Sequence, residues 1–286
     1  MSTSLTDGSS STPHPAGTEL RLDAITYVAG RTLLDDVSVT FPAGKVTALS
    51  GPSGSGKTTL LSIAGGLLRP SLGEATYAGR PMWQGTGDPR PEVAFVLQVY
   101  GLVPILSARE NVSVALRARG VDPDEADDRA SAALARFHIG DLGDRQVEEL
   151  SGGQMQRVAL ARGLCVGAAV LLADEPTSQL SHEDRDAVIG LVHDLGDELG
   201  TTIVVVTHQP EVAATFPRTI TMKGGRVGLE GRDGAEYVVI GAEGVVHLPT
   251  HLAEQWPQGT LVRIEPEAAD RLVVSRSEDD AAGAPE

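Results

Sequence analysis

The stretch from Lys45 to Leu61, KVTALSGPSGSGKTTLL, constrains this chain more than any other. It reads as a buried strand, a glycine-rich loop and the start of a helix. Within it, Gly51-Pro52-Ser53-Gly54-Ser55-Gly56-Lys57-Thr58 fits G-x-x-x-x-G-K-[ST], and Val46, Ala48 and Leu49 supply the apolar strand that this motif needs ahead of it. The glycines admit backbone angles closed to other residues, so successive N–H groups turn inward around phosphate oxygens at the positive end of the helix. Lys57 is then expected to reach the β- and γ-phosphates of a nucleoside triphosphate, with Thr58 offering its hydroxyl to Mg2+. The alternative is a plain glycine-rich turn, and the complete motif between a strand and a helix argues against it.

The chain has 286 residues, enough for one large domain plus a small one or for two modest domains. Its net charge of -16 opposes a general attraction to nucleic acid or anionic lipid, so no nucleic-acid partner is expected and membrane contact should run through protein. No apolar run approaches the roughly 18 residues that span a bilayer. Residues 1–17 lack the basic start and apolar centre of a secretion signal. They are expected to be a disordered tail, and the chain is expected to stay in the cytoplasm. The single cysteine, Cys165, sits in an apolar helical stretch and reads as a small core residue rather than a nucleophile. There is no disulfide framework and no zinc pattern.

Leu20–Ala24 and Val37–Phe41 alternate apolar and polar residues, as antiparallel strands with one buried face do. Tyr27 lies between them, where it either stacks on an adenine ring or packs in the core; position alone leaves both open. Arg69-Pro70-Ser71-Leu72-Gly73 is turn chemistry, and the apolar run Pro91–Leu97 places Gln98 at a strand's carboxyl edge, facing a metal or an attacking water. Helical patterning follows from Ser107, stops at Gly120, and resumes at Asp122-Pro123 with Ala126, Ala130, Ala133, Leu134 and Phe137 at near-helical spacing. Leu150-Ser151-Gly152-Gly153-Gln154 then runs into Val158-Ala159-Leu160-Ala161, a second helix start suited to an anion. The buried strand in Ala168–Pro176 delivers Asp174 and Glu175 to its edge, the first to hold Mg2+ through water and the second to polarise a water aimed at the γ-phosphate. A further apolar strand, Thr202–Thr207, ends at His208, which is expected to contact the γ-phosphate.

The set GPSGSGKTT, Gln98, LSGGQMQRVALAR, VLLADEP and the Thr207-His208 pair resembles the ATP-binding subunits of ABC transporters over about residues 20–227. LSGGQ is specific to that superfamily and separates it from kinases and GTPases. Phe95–Val112 is most similar to the ATPases of macrolide- and lipoprotein-exporter systems. The resemblance implies an α/β P-loop NTPase domain over 18–227, with a mostly parallel core sheet, an antiparallel β subdomain and a helical subdomain inserted at about 99–160. It implies ATP and Mg2+ as cofactors, with Thr58, Gln98 and Asp174 toward the metal and Glu175, His208 and Gln98 serving hydrolysis. Two subunits, forming a homodimer, would pair head to tail. Nucleotide on Gly51, Ser53, Gly54, Ser55, Gly56, Lys57, Thr58 and Thr59 of one would face Ser151, Gly152, Gly153 and Gln154 of the other. Tyr27 becomes the adenine-stacking residue, and Gln98 the link to a separate integral membrane permease, on whose inner-face side the chain would sit. Powering transport is the implied function; a mechanical switch on a membrane partner, as in cell-division ABC systems, is the alternative. Soluble ABC ATPases of DNA repair or translation carry long coiled coils or two cassettes in one chain, and neither is here.

Two departures from the family stand out. Members usually read Ser-Ala-Leu-Asp where this chain has Ser178-Gln179-Leu180-Ser181, losing an aspartate that serves communication across the dimer. The segment between Gly79 and Pro91, with Trp83, Gly85 and Gly87, is shorter than the helical insertion of exporter-type relatives. After Val227, four short strands are expected around 236–240, 245–249, 260–264 and 271–274, with a helix at 250–256, as a small β-rich module over 228–276 before an acidic disordered tail at 277–286. Gly244–Pro249 weakly resembles the start of swapped-hairpin modules of bacterial transition-state regulators. From Gly228 onward, four arginines face twelve acidic residues, so a dimerising or regulatory role is expected rather than DNA binding.

Overall fold

A computed structural model of the protein describes residues 18–83, 92–241, 244–246, 248, 249, 252, 255, 256, 260–268 and 271–276. The tails expected at 1–17 and 277–286, Gly85, Gly87, His247 and most of the helix expected at 250–256 lie outside the described residues. The chain runs β1 (Leu20–Ala29), β2 (Arg31–Phe41), β3 (Val46–Ser50), α1 (Lys57–Ala64), β4 (Leu72–Tyr77), β5 (Arg80–Pro81), β6 (Val93–Val96), α2 (Ala108–Arg117), α3 (Pro123–Arg136), α4 (Gly152–Cys165), β7 (Val170–Asp174), α5 (His182–Leu199), β8 (Thr202–Val206), α6 (Pro210–Ala213), β9 (Arg218–Lys223), β10 (Arg226–Arg232), β11 (Ala235–Val238), β12 (Val262–Ala268) and β13 (Arg271–Arg276).

Strand periodicity builds two packed sheets. In the first, ordered β2-β1-β4-β5, the expected alternation holds for Leu20 and Leu22 of β1 and for Val37, Val39 and Phe41 of β2, all buried, but a register shift after Leu22 leaves Ala24 exposed and turns Ile25 inward in its place. The second is ordered β11-β10-β9-β3-β8-β7-β6, with β6, β7, β8, β3 and β9 parallel. Its central strands β3, β7 and β8 are buried along their whole length and mostly apolar because both faces are covered. Val170, Leu172, Val204 and Val206 pack with Leu60 and Ile63 of α1 and with the first sheet. Leu171, Ala173, Ile203 and Val205 pack on the other side with Val158, Val188 and Leu195 of α4 and α5. Burying a side chain of this size contributes on the order of 1.5–3 kcal/mol, so α1, which carries Lys57 and Thr58, is held from both ends of its apolar face.

The helical block folds as expected, and its starts are chemically explicit. Ser107 and Glu110 form a capping box on α2, and Asp122 caps α3 with Pro123 in the first turn. Ala126, Ala130, Leu134 and Phe137 turn inward.

Several boundaries differ from expectation: β1 runs on through Tyr27 to Ala29, and β2 begins at Arg31 rather than Val37. Leu72, read as part of a turn, already pairs with Thr26 as the first residue of β4. More consequentially, β10 runs past Val227 to Arg232, and β11 pairs on it from Ala235 to Val238. The residues expected to open a separate module therefore form the edge of the sheet that carries the phosphate loop. Gly224-Gly225 suggests a chain break but makes the hairpin between β9 and β10, after which the strand pattern resumes at Val227 and Leu229. Glu230 fastens this edge. It accepts hydrogen bonds from Arg218 and Arg232, both at 2.6 Å, while Arg218 also donates to the Thr40 carbonyl of β2 at 2.7 Å. Further on, Ile240 bridges Val246, and β12 and β13 form a two-stranded hairpin of their own.

Candidate functional site

The parallel strands β3, β6, β7 and β8 end on one edge, and each delivers a candidate residue there, where crevices in such sheets form. The phosphate loop follows β3, Gln98 follows β6, Glu175 follows β7 and His208 follows β8. They meet in an open cleft of about 430 Å3 lined by Arg31, Leu33, Ser53, Gly54, Gly56, Lys57, Thr58, Thr59, Gln98, Glu175 and His208.

The loop's shape depends on close packing from below. Gly56 caps α1 in the left-handed region at φ 97°, and a Cβ there would lie 2.7 Å from Leu34 Cδ2 and 2.9 Å from the Leu33 carbonyl. The buried Lys57 ammonium donates to the carbonyls of Gly51 at 2.7 Å and Pro52 at 3.0 Å. Burial pushes its pKa down, against an upward pull from Glu175 and Asp174. Ser55 Oγ is buried without a hydrogen-bond partner among the described residues, an orphaned polar atom inside the loop that suits a phosphate oxygen.

Thr58 Oγ1 donates to Asp174 Oδ1 at 3.3 Å. Burial raises the Asp174 pKa; the Thr58 bond and Lys57 lower it, and Glu175 raises it further. With Gln98 in the adjoining cleft, Thr58 and Asp174 form an oxygen-rich set that fits a hard divalent cation.

Glu175 leaves the sheet with φ 50°, a conformation that a side chain adopts only when its surroundings impose it. Its backbone N–H is held by the Val206 carbonyl at 3.0 Å, and its Oε2 lies 2.8 Å from His208 Nδ1. A carboxylate only accepts, so Nδ1 carries the hydrogen in this contact. The two residues thus form a coupled pair, an arrangement that their separate strands did not reveal.

Not every expected residue is here. Tyr27 is half-buried against the core beside β2 and lies outside the cleft lining; Arg31 and Leu33, from the hairpin that follows it, occupy that rim. Neither was singled out from the sequence. The signal lay in the turn at Gly30, which folds β2 back over the loop. Ser151, Gly152, Gly153 and Gln154 also lie outside the cleft lining. Ser151 caps α4 through a capping box, accepting from Gln154 N at 3.3 Å while its own N–H donates to Gln154 Oε1 at 3.0 Å. Sequence reasoning also missed two residues that hold the loop after Gln98. Asn111, fully buried, exchanges bonds with the backbone of Val103, Leu106 and Ser107, and Arg162 donates to the carbonyls of Gly101 at 2.6 Å and Tyr100 at 3.0 Å.

Cys165 behaves as the sequence suggests. It packs against the core with its thiol pushed up to about 12 by burial, far from the thiolate form a nucleophile needs.

The family model described as ABC transporter matches residues 34–178. A macrolide export ATP-binding/permease protein of Yersinia pestis is 39% identical over 249 residues, covering 84% of this chain and 38% of its own length, so the chain spans about two fifths of that relative. The ATP-binding protein of a lipoprotein-releasing system from a Shewanella strain is 39% identical over 198 residues, covering 68% of this chain and 86% of the relative. Among solved structures, a dimeric ATP-binding cassette in a post-hydrolysis state with ADP and Pi superposes with a TM-score of 0.66 and 31% identity, covering 75% of this chain and 98% of that one.

Proposed function

The chain belongs to the ABC transporter family, and from that premise we propose that it is an ATP-binding and ATP-hydrolysing subunit that drives a separate membrane permease. One observation carries the reading: Lys57, Thr58, Gln98, Glu175 and His208, delivered by four strands, line one cleft.

In this reading the loop's N–H groups and Ser55 cradle the phosphates, and the Lys57 ammonium turns from its two loop carbonyls toward the γ-phosphate. Thr58, Asp174 and Gln98 would hold Mg2+, which neutralises charge on the β- and γ-phosphates when bound. Glu175 takes the proton of the attacking water. His208, at 2.8 Å, keeps its carboxylate aimed, and the bond to Val206 keeps its backbone in place. Arg31 and Leu33 line the cleft beside the phosphate loop, and Tyr27 on the preceding strand is the residue proposed to stack on the base.

Because Ser151 through Gln154 do not reach this cleft, they serve the site of a second copy, and the active unit is a head-to-tail homodimer. The solved cassette of similar fold is dimeric. Permease contact falls to the surface after Gln98, where Val99 and Ile105 are 72% and 80% exposed beside the helical block. Among the described residues no helix is long and apolar enough to cross a membrane. The relatives named for macrolide export and lipoprotein release support placement of the chain at the inner face of a membrane against such a partner. The ATPase unit extends from residue 18 to Val238, with the β12–β13 hairpin as an appended module.

The test is Glu175→Gln. ATP binding should persist and turnover fall by roughly two to four orders of magnitude, as for a lost general base, with a species of twice the mass accumulating on ATP addition. Hydrolysis by the variant at the parental rate would remove Glu175 from the mechanism.

A further inference from the structure

The two glycines of the LSGGQ stretch do not face open space; Gly152 packs against Tyr100 and the Gln179-Leu180 loop, and Gly153 against the first turn of α5. A Cβ on Gly152 would lie 3.2 Å from the Tyr100 hydroxyl and 3.5 Å from Leu180 Cδ2, and a Cβ on Gly153 would overlap the carboxylate of Asp184. Only glycine lets Asp184 approach the α4 backbone this closely.

Asp184 is also tied in two further directions. The Ser181 hydroxyl caps α5 by accepting from Asp184 N at 3.2 Å and donates to Asp184 Oδ2 at 3.1 Å. Asp184 Oδ1 lies 3.5 Å from Arg157 Nη2, one turn along α4. The carboxylate therefore stands in the first turn of α5, against the first turn of α4, where the positive ends of both helices favour it. The chain between Glu175 and Ser181 is short and internally bonded: Ser178 N and Oγ both donate to the Glu175 carbonyl, at 3.2 and 3.1 Å. A displacement of α4's start is thus relayed over few bonds to Glu175.

We propose that Asp184 is a positioning residue that clamps the start of the LSGGQ helix to the loop leaving Glu175, so that a phosphate engaged by one copy's α4 aligns that same copy's own Glu175. The inference rests on the ATPase reading. It also accounts for Ser181: the acid that family members carry at that position is found here three residues later, in the same cap.

The test compares the full-length parental chain with Asp184→Ala and with Asp184→Asn, which keeps the side chain's shape but not its charge toward Arg157. Steady-state ATP hydrolysis, binding of a fluorescent ATP analogue and the thermal midpoint are measured for each, and the ATP-induced dimer is measured after adding each change to Glu175→Gln. Loss of alignment should lower kcat roughly ten- to a hundredfold in both variants. Analogue binding should stay parental, because in a single copy that nucleotide sits on Lys57 and its neighbours and not on α4; the midpoint should stay parental in Asp184→Asn, which can keep the Ser181 bond, and the ATP-trapped dimer, which engages α4, should be lost. Parental kcat in both variants, or a loss of kcat that merely follows a lowered midpoint and weakened analogue binding, overturns the clamp. A parental chain that does not hydrolyse ATP would instead remove the ATPase reading beneath it.

Discussion

Asp174 shows how a single residue serves two opposed requirements. Burial raises its pKa above the ordinary carboxylate value, despite the Thr58 bond and the nearby Lys57, so the folded protein holds its proton more tightly than the unfolded chain does. The protonated form's contribution to stability is complete below the unfolded pKa and is lost as pH rises through the folded one. At neutral pH the ionised side chain therefore weakens the protein alone, and a cation would offset that cost. Asp174→Asn should raise the thermal midpoint at pH 7 in nucleotide-free buffer, with the gain shrinking as pH falls, and should lower Mg2+-dependent turnover by at least about a hundredfold. A lower midpoint at pH 7 would count against the burial argument. The identity of such residues was legible because Asp174 and Glu175 stand at the end of a strand that announces itself by a continuous apolar run, and Lys57 in a contiguous motif between a strand and a helix. The Glu175–His208 contact was not, because the two residues are 33 positions apart and meet only through the register of β7 against β8.

At the scale of elements, α4 joins the loop after Gln98, through Arg162, to the loop after Glu175, through Gly153 and Asp184. Two bonds from a charged group to the Tyr100 and Gly101 carbonyls hold the first of these loops, and burial lowers the Arg162 pKa. Arg162→Ala should cost about 2 kcal/mol in urea unfolding, a typical value for hydrogen bonds to a charged group, and should speed amide exchange selectively over residues 99–106. Unchanged exchange there would show that Asn111 suffices to order the loop. Sequence periodicity found α2, α3 and α4 and their caps because these are local signals. It did not find what Arg162 touches, since an arginine near a helix end reads equally well as a solvated charge.

For the whole molecule, the β12–β13 hairpin sets the open question of assembly. Cross-strand register places Val262, Ile264 and Pro266 on one face with Arg276, Val274 and Leu272, while Arg263, Glu265, Val273 and Ser275 occupy the other. Ile264 and Leu272 are 59% and 64% exposed, and a two-stranded hairpin is marginal in water without a covering layer. We propose that a twin copy covers this face, because it is nearly free of charge in a chain whose net charge of -16 otherwise sets copies apart. Truncation after Val238, which spares β11, should leave ATP binding at the phosphate loop intact but weaken the dimer about tenfold, or 1.4 kcal/mol, by sedimentation. An unchanged dimer would leave the hairpin without an assembly role. Truncation after Val227 should do worse, since it cuts β10 and removes Glu230 from between Arg218 and Arg232.

The sequence by itself determined the parallel core, the phosphate loop, the helical block and the residues at four strand ends, because each rests on local spacing: period two, period 3.6, or a contiguous motif. Tertiary structure alone decided that Arg31 and Leu33 rather than Tyr27 border the cleft, that β10 and β11 extend the sheet beyond Val227, and that Asp184 seats against Gly153. Each of these is a contact between segments far apart in the chain. Such contacts depend on sheet order and register, which no local pattern encodes.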